Sequence, residues 1–220
     1  MSACRLIIFD WDGTVADSAG QIVAAMQQSI ADLGLPPRQD RQIRELIGLS
    51  LADGMALLYP EIDTASLLRL LAEYRRNWGR DGDAGRSALF PGALETMTVL
   101  RDAGFRLAVA TGKSRIGLER SLAQHPRVAS LLVNWRTADT TASKPDPLML
   151  TELLADDGLA PGEALMVGDT EFDAAMATAI GMPMVGVTCG AHDGERIARG
   201  GAVALLEMVR DLPAWLTAAR

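Results

Sequence analysis

Cysteine is almost missing from this chain of 220 residues. Cys4 and Cys189 are far apart, and no CxxC or Cys/His cluster accompanies them. That excludes a disulfide framework and a cysteine-built zinc site, and it matches reduced thiols in the cytosol. Histidine is as scarce: His125 and His192 lack metal-ligand spacing. Aromatic residues make up only 5% of the chain. No run of Lys and Arg stands out against a formal net charge of −7, so nucleic-acid binding has no electrostatic footprint. No apolar stretch reaches the ~18 residues that cross a bilayer, and Arg5-Leu6-Ile7-Ile8-Phe9 is too short for a signal-peptide core. The expectation is a soluble cytoplasmic protein without nucleic-acid or membrane partners.

What is present is aliphatic. Hydrophobic residues are 49% of the chain, ample for one core with an inserted subdomain. Leu6-Ile7-Ile8-Phe9 is a continuous β-prone run, as expected of a central parallel strand covered on both faces. Similar runs occur at Leu107-Ala108-Val109-Ala110, Leu131-Leu132-Val133, Leu165-Met166-Val167 and Met184-Val185-Gly186-Val187. Helical spacing lies between them: Leu94, Met97 and Leu100 before Gly104; Ser114 as a cap before Ile116 and Leu122; Pro145 and Pro147 before Leu148, Leu150 and Leu154; Phe172, Met176 and Ala179 before Gly181. The alternation predicts a doubly wound, Rossmann-like α/β core with a parallel sheet.

Residues 17–85 read differently, with four helical stripes and no convincing strand. Ile22, Met26, Ile30 and Leu33 form the first; Ile43, Leu46 and Ile47 the second. Ser50 caps a third through Met55 and Leu58, and Leu67, Leu68, Leu71 and Tyr74 form the fourth. Gly79-Arg80-Asp81-Gly82-Asp83-Ala84-Gly85 reads as a flexible linker. The expected organisation is a core of residues 1–16 and 86–220 interrupted by a helical cap of residues 17–85, with hinges near Asp17 and Gly82–Gly85.

In an open α/β sheet, sites form at the carboxyl ends of strands. Such ends carry Asp10 and Asp12, Thr111-Gly112-Lys113-Ser114, and Gly168-Asp169 with Asp173 beyond; another segment brings Ser143-Lys144-Pro145. Four carboxylates brought together repel and raise one another's pKa. Lys144 offsets one charge, and a hard divalent cation such as Mg²⁺ offsets two. A carboxylate can serve as nucleophile in phosphoryl transfer, and a second carboxyl can handle the proton. Thr111 and the N–H groups of Gly112 and Lys113, near a helix start, suit phosphate oxygens.

Asp10-Trp11-Asp12-Gly13-Thr14-Val15-Ala16-Asp17-Ser18 resembles the first motif of the haloacid-dehalogenase-like hydrolase superfamily. Thr111 matches its second motif, Lys144 its third, and Gly168-Asp169-Thr170-Glu171-Phe172-Asp173 its fourth. The helical insert resembles the family's C1 cap. Phe90-Pro91-Gly92 and Val109-Ala110-Thr111-Gly112-Lys113-Ser114 look most like the phosphoglycolate phosphatase-like branch. The resemblance implies Asp10 as nucleophile and Asp12 as general acid/base. It implies Mg²⁺ held by Asp10, the main-chain carbonyl of Asp12 and Asp169, with Asp173 in support. Thr111 and Lys144 would grip the phosphoryl group.

The expected activity is Mg²⁺-dependent hydrolysis of a small phosphomonoester, 2-phosphoglycolate among the candidates, by a monomer or homodimer. A mutase of the β-phosphoglucomutase type could use the same acids, and a non-catalytic phosphate- or partner-binding protein could retain the fold. Two basic residues stay open between roles. Lys113 either meets substrate or decorates a loop. Arg44 either binds a substrate carboxylate or second phosphate, or is a solvated helix charge. Trp11 reads as packing.

Overall fold

The computed structural model describes residues 4–78 and 87–218. Strand β1 (Leu6–Phe9) leads through β2 (Ala16–Asp17) into four helices, α1 (Ala19–Asp32), α2 (Asp40–Arg44), α3 (Leu51–Leu58) and α4 (Thr64–Asn77). The chain returns through β3 (Ala88–Leu89) to α5 (Ala93–Asp102), β4 (Arg106–Thr111), α6 (Arg115–Gln124), α7 (Pro126–Leu131) and β5 (Asn134–Thr137). It continues with α8 (Leu148–Asp157), β6 (Ala164–Gly168), α9 (Glu171–Thr178) and β7 (Met184–Val187). Last come α10 (Gly194–Arg199), β8 (Ala204–Leu206) and α11 (Leu212–Ala218).

Six strands form one parallel sheet in the order β5-β4-β1-β6-β7-β8. Successive side chains of β1 face opposite sides. Ile7 and Phe9 enter one apolar cluster with α5, α6 and α11, whereas Leu6 and Ile8 enter a second with α8 and α9. Truncating so buried a side chain, as in Ile8→Ala, costs about 2–5 kcal/mol. The sheet winds outward both ways from β1, which lies between β4 and β6. The carboxyl ends of β1, β4 and β6 therefore meet at one crevice.

Helices α1 to α4 close around their own apolar cluster, including Met26, Met55, Leu70 and Tyr74. The Ser50 hydroxyl caps α3 by accepting from Asp53 N at 3.1 Å, and Asp63 caps α4 by accepting from Ser66 N at 2.7 Å. Where the chain leaves and re-enters the core, β2 and β3 pair antiparallel, Ala16 opposite Leu89 and Asp17 opposite Ala88.

Several expectations need correction. Leu131-Leu132-Val133 is the end of α7 and a bend, not a strand. The strand is Asn134–Thr137 at the sheet edge, where half-buried polar side chains are tolerated. β8, also at an edge, carried no clear signal. Asp17 belongs to a short strand rather than to a purely helical insert. Leu68 is 60% exposed, and Leu70 fills the buried place on α4. The linker expected at 79–85 lies outside the described residues, as does the hinge within it.

Candidate active site

Asp10 follows directly from β1, whose course is prolonged by Asp10 N donating to Val167 O at 2.8 Å. The chain then turns at Gly13, whose φ of +84° suits glycine and whose position leaves no room for a Cβ against the Asp169 carboxylate. Asp10 is 1% exposed. Lys144 Nζ, fully buried, sits 2.8 Å from Asp10 Oδ1 and 2.6 Å from Asp173 Oδ1. Asp10 Oδ2 is buried with no hydrogen-bond partner among the described residues.

The other two acids are held by their neighbours. Thr14 Oγ1 donates to Asp169 Oδ1 at 2.8 Å, and Ala191 N donates to Asp169 Oδ2 at 2.7 Å. Asp173 Oδ2 accepts from Thr170 N at 3.1 Å and Thr170 Oγ1 at 2.7 Å, closing a capping box at the start of α9. Asp173 thus serves both the helix end and Lys144.

Asp10, Asp169 and Asp173 bring carboxylate oxygens within 4.8 Å of one another. Burial pushes the Asp10 carboxyl well above the usual range; Lys144 opposes this, and Asp173 and Asp169 add to it. Burial, then repulsion from Asp173, pushes Asp169 up to about 7. Burial pulls the Lys144 ammonium down, but attraction to Asp10 and Asp173 more than offsets it and leaves it above its ordinary value. Three buried carboxylates against one ammonium leave an excess of negative charge and one unpartnered oxygen. Such an all-oxygen set fits a hard divalent cation such as Mg²⁺.

Asp12 stands at the cavity side. Ser18 Oγ donates to its Oδ1 at 2.5 Å, and Lys113 Nζ reaches Oδ1 at 2.8 Å and Oδ2 at 2.9 Å. The same ammonium lies 4.9 Å from the centre of the Trp78 ring at the end of α4. Lys113, ambiguous in the sequence, is thus tied to an acid of the core and a ring of the helical insert. Thr111, at the end of β4, is buried, and its Oγ1 accepts from Lys113 N at 3.2 Å. Ser114 caps α6 immediately after.

The segment between α2 and α3 is fastened over this crevice. Ser50 N donates to Ser143 Oγ at 2.9 Å. His192 Nδ1 accepts from Glu171 N at 3.1 Å, which leaves Nε2–H to donate to Glu45 O at 3.0 Å. Burial lowers the His192 pKa, in keeping with this neutral form. A Cβ on Gly112 would strike the main-chain carbonyl oxygens of Gly48 and Leu49. Beneath that segment lies a cavity of about 790 Å³, bordered by Asp10, Asp12, Thr111, Gly112 and Lys113 and extending between the cap helices.

The structure therefore gathers Asp10, Asp12, Thr111, Gly112, Lys113, Lys144, Asp169 and Asp173. It does not bring Arg44 to them. Arg44 ends α2, which buries Ile43 in the helical cluster, and it is not part of the cavity wall. Arg75, Arg76 and Arg120 are. Sequence reasoning did not single out Thr14, Ser18, Trp78 or His192 as parts of this site. Thr14 and Ser18 lay within the motif that contains Asp10 and Asp12; nothing in the sequence marked Trp78 and His192 as site neighbours. No described helix is long and apolar enough to cross a membrane.

Comparison with known proteins gives a consistent set of likenesses. Residues 7–187 match the model for haloacid dehalogenase-like hydrolases. A phosphoglycolate phosphatase of Rhodospirillum rubrum is 32% identical, over 96% of this chain and 90% of that protein. A protein named probable phosphatase IndB, of Dickeya dadantii, is 34% identical over 87% of this chain and 84% of that protein. Among solved structures, a hydrolase from Pseudomonas syringae superposes with a TM-score of 0.85 at 26% identity, covering 98% of each chain.

Proposed function

The chain belongs to the haloacid dehalogenase-like hydrolase family, and on that premise we propose that it hydrolyses phosphomonoesters through an aspartyl phosphate on Asp10. The observation that carries this reading is the buried Asp10 carboxylate, held on one oxygen by Lys144 at 2.8 Å and unpartnered on the other. An oxygen so placed, at the edge of a cavity shared with Thr111, has few uses other than a metal or an electrophile.

Asp10, Asp169 and the main-chain carbonyl of Asp12 would hold Mg²⁺, with Asp173 in support. When bound, the cation supplies shielding between the anionic nucleophile and the anionic phosphoryl group. Thr111 Oγ1 and the Gly112 N–H bind phosphoryl oxygens, and Lys144 neutralises the negative charge that moves from Asp10 onto the phosphoryl group. A carboxylate oxygen of Asp10 bonds to phosphorus while the ester P–O bond breaks. Protonated Asp12 gives its proton to the departing alcohol oxygen. Asp12, now a carboxylate, takes a proton from water as that water attacks the aspartyl phosphate. Inorganic phosphate leaves and Asp10 is restored. Ser18 and Lys113 orient Asp12 for both transfers.

The relatives named for phosphoglycolate make 2-phosphoglycolate a first substrate to assay. Phosphate release from it and from 4-nitrophenyl phosphate should require Mg²⁺ and vanish in Asp10→Asn. Release without metal, or undiminished in that variant, would sink the reading. Conversion of a sugar 1-phosphate to its 6-phosphate without net phosphate release would assign the same acids to a mutase.

A further inference from the structure

The cavity beside Asp10 and Asp12 is larger than a phosphoryl group with a short acid requires. Its volume of about 790 Å³ falls within the roughly 300–1,000 Å³ of pockets that enclose drug-sized ligands. Even if each non-hydrogen atom were allowed a whole water's share of roughly 30 Å³, 2-phosphoglycolate would fill at most about 270 Å³. The remainder runs into the helical insert and is walled by Ile22 and Met26 of α1, Leu46, Met55 of α3, and Leu71 and Tyr74 of α4. Burial, with the Asp12 charge adding to it, raises the Tyr74 pKa and keeps the phenol neutral.

The cations of the wall are poorly placed for a second anion deep in this space. Arg75, Arg76 and Arg120 are exposed. Arg76 is paired with Glu73. Lys113 is engaged by Asp12 and lies over Trp78. Among the described residues, a carboxylate carried into the apolar part would lose its water and meet no cation, only the neutral Tyr74 phenol. A hydrocarbon chain or ring would instead exchange water for the partly exposed Ile22 and Leu46.

We infer that the site takes phosphomonoesters whose leaving group carries an apolar chain or ring reaching between the cap helices, in preference to short anionic acids. The inference rests on the reading of Asp10 as the end that holds the phosphoryl group.

The test uses the wild-type protein with Mg²⁺ and a series of n-alkyl phosphates from methyl to octyl, with 2-phosphoglycolate alongside. The Kd values of the matching non-hydrolysable n-alkylphosphonates are measured by calorimetry. Each methylene fully buried is worth about 0.8 kcal/mol, or about fourfold. The expected result is a rise in kcat/KM of up to about fourfold per methylene until the space is filled. Phosphonate Kd should tighten in parallel, and the longer esters should surpass 2-phosphoglycolate. Ile22→Trp should bring the plateau to a shorter chain. Turnover and phosphonate affinity that are flat or fall with chain length overturn the inference while leaving the hydrolase reading intact. Chain-dependent phosphonate binding without turnover of any ester overturns the hydrolase reading and leaves the apolar recognition standing.

Discussion

Removing the metal should expose the cost of crowding Asp10, Asp169 and Asp173, and the cost should depend on pH. Asp169 is pushed up to about 7, first by burial and then by Asp173, against about 3.9 in an unfolded chain. Between those values the folded protein holds a proton that the unfolded chain has shed. Stability contributed by this proton is present at low pH and is lost as pH rises through the folded value. At pH 6 about nine-tenths of metal-free folded molecules carry that proton, and at pH 8 about one-tenth do. Mg²⁺ must displace it, so on this proton alone its apparent affinity should be about tenfold weaker at pH 6 than at pH 8, or about 1.4 kcal/mol, and the raised Asp10 acts in the same direction. The assay is urea unfolding with saturating EDTA and with a fixed Mg²⁺ concentration at both pH values. The stabilisation by Mg²⁺ is the difference between the two curves, equal to RT ln(1 + [Mg²⁺]/Kd). The His192 pKa is lowered chiefly by burial, which acts against stability at low pH. It does so with and without metal and drops out of the difference. Mg²⁺ stabilisation should grow by about 1 kcal/mol from pH 6 to pH 8 for metal below saturation at pH 6. Stabilisation that is equal at the two pH values, or greater at pH 6, would refute the reasoning.

Lys144→Met should destabilise the protein by about 3–5 kcal/mol, because Asp10 and Asp173 then share a buried site without an ammonium. Urea unfolding in EDTA reads this directly, and a loss below about 1 kcal/mol would contradict it. Gly112→Ala should lift the segment at Gly48 and Leu49, whose carbonyl oxygens occupy the space of the new Cβ. A misplacement of that size can cost about 100-fold, so kcat/KM for a phosphomonoester should fall toward that extent. Wild-type kinetics in Gly112→Ala would show that the segment need not sit where it does.

The centre of the sheet was legible because its strands are buried on both faces. Leu6–Phe9 and Leu165-Met166-Val167 have no reason to contain a polar residue, so the acids that end them stand out. The edges were not legible by the same logic. Asn134–Thr137 is half-buried and carries Asn and Arg, so the apolar run just before it drew the assignment, although that run belongs to α7 and the following bend. Helix stripes located α1, α3 and α4, but spacing could not separate Leu68 from Leu70. At the site, motif order pointed to Asp10, Lys144, Asp169 and Asp173, which the structure brings together. It could not reveal what each acid touches. Lys113 meets Asp12 through a separation of 101 residues, and His192 meets Glu45 through 147. Arg44 illustrates the converse: its neighbours Ile43 and Leu46 line the cavity, yet Arg44 itself does not.

The central claim is that Asp10 carries the phosphoryl group during turnover. The most direct measurement is to quench the Mg²⁺ protein during turnover of a phosphomonoester, reduce any acyl phosphate with borohydride, and locate the reduced residue by peptide mass. The expected result is homoserine at position 10 and none there without substrate. Reduction at another carboxylate, or turnover with no reduced residue and undiminished rate in Asp10→Asn, would contradict it.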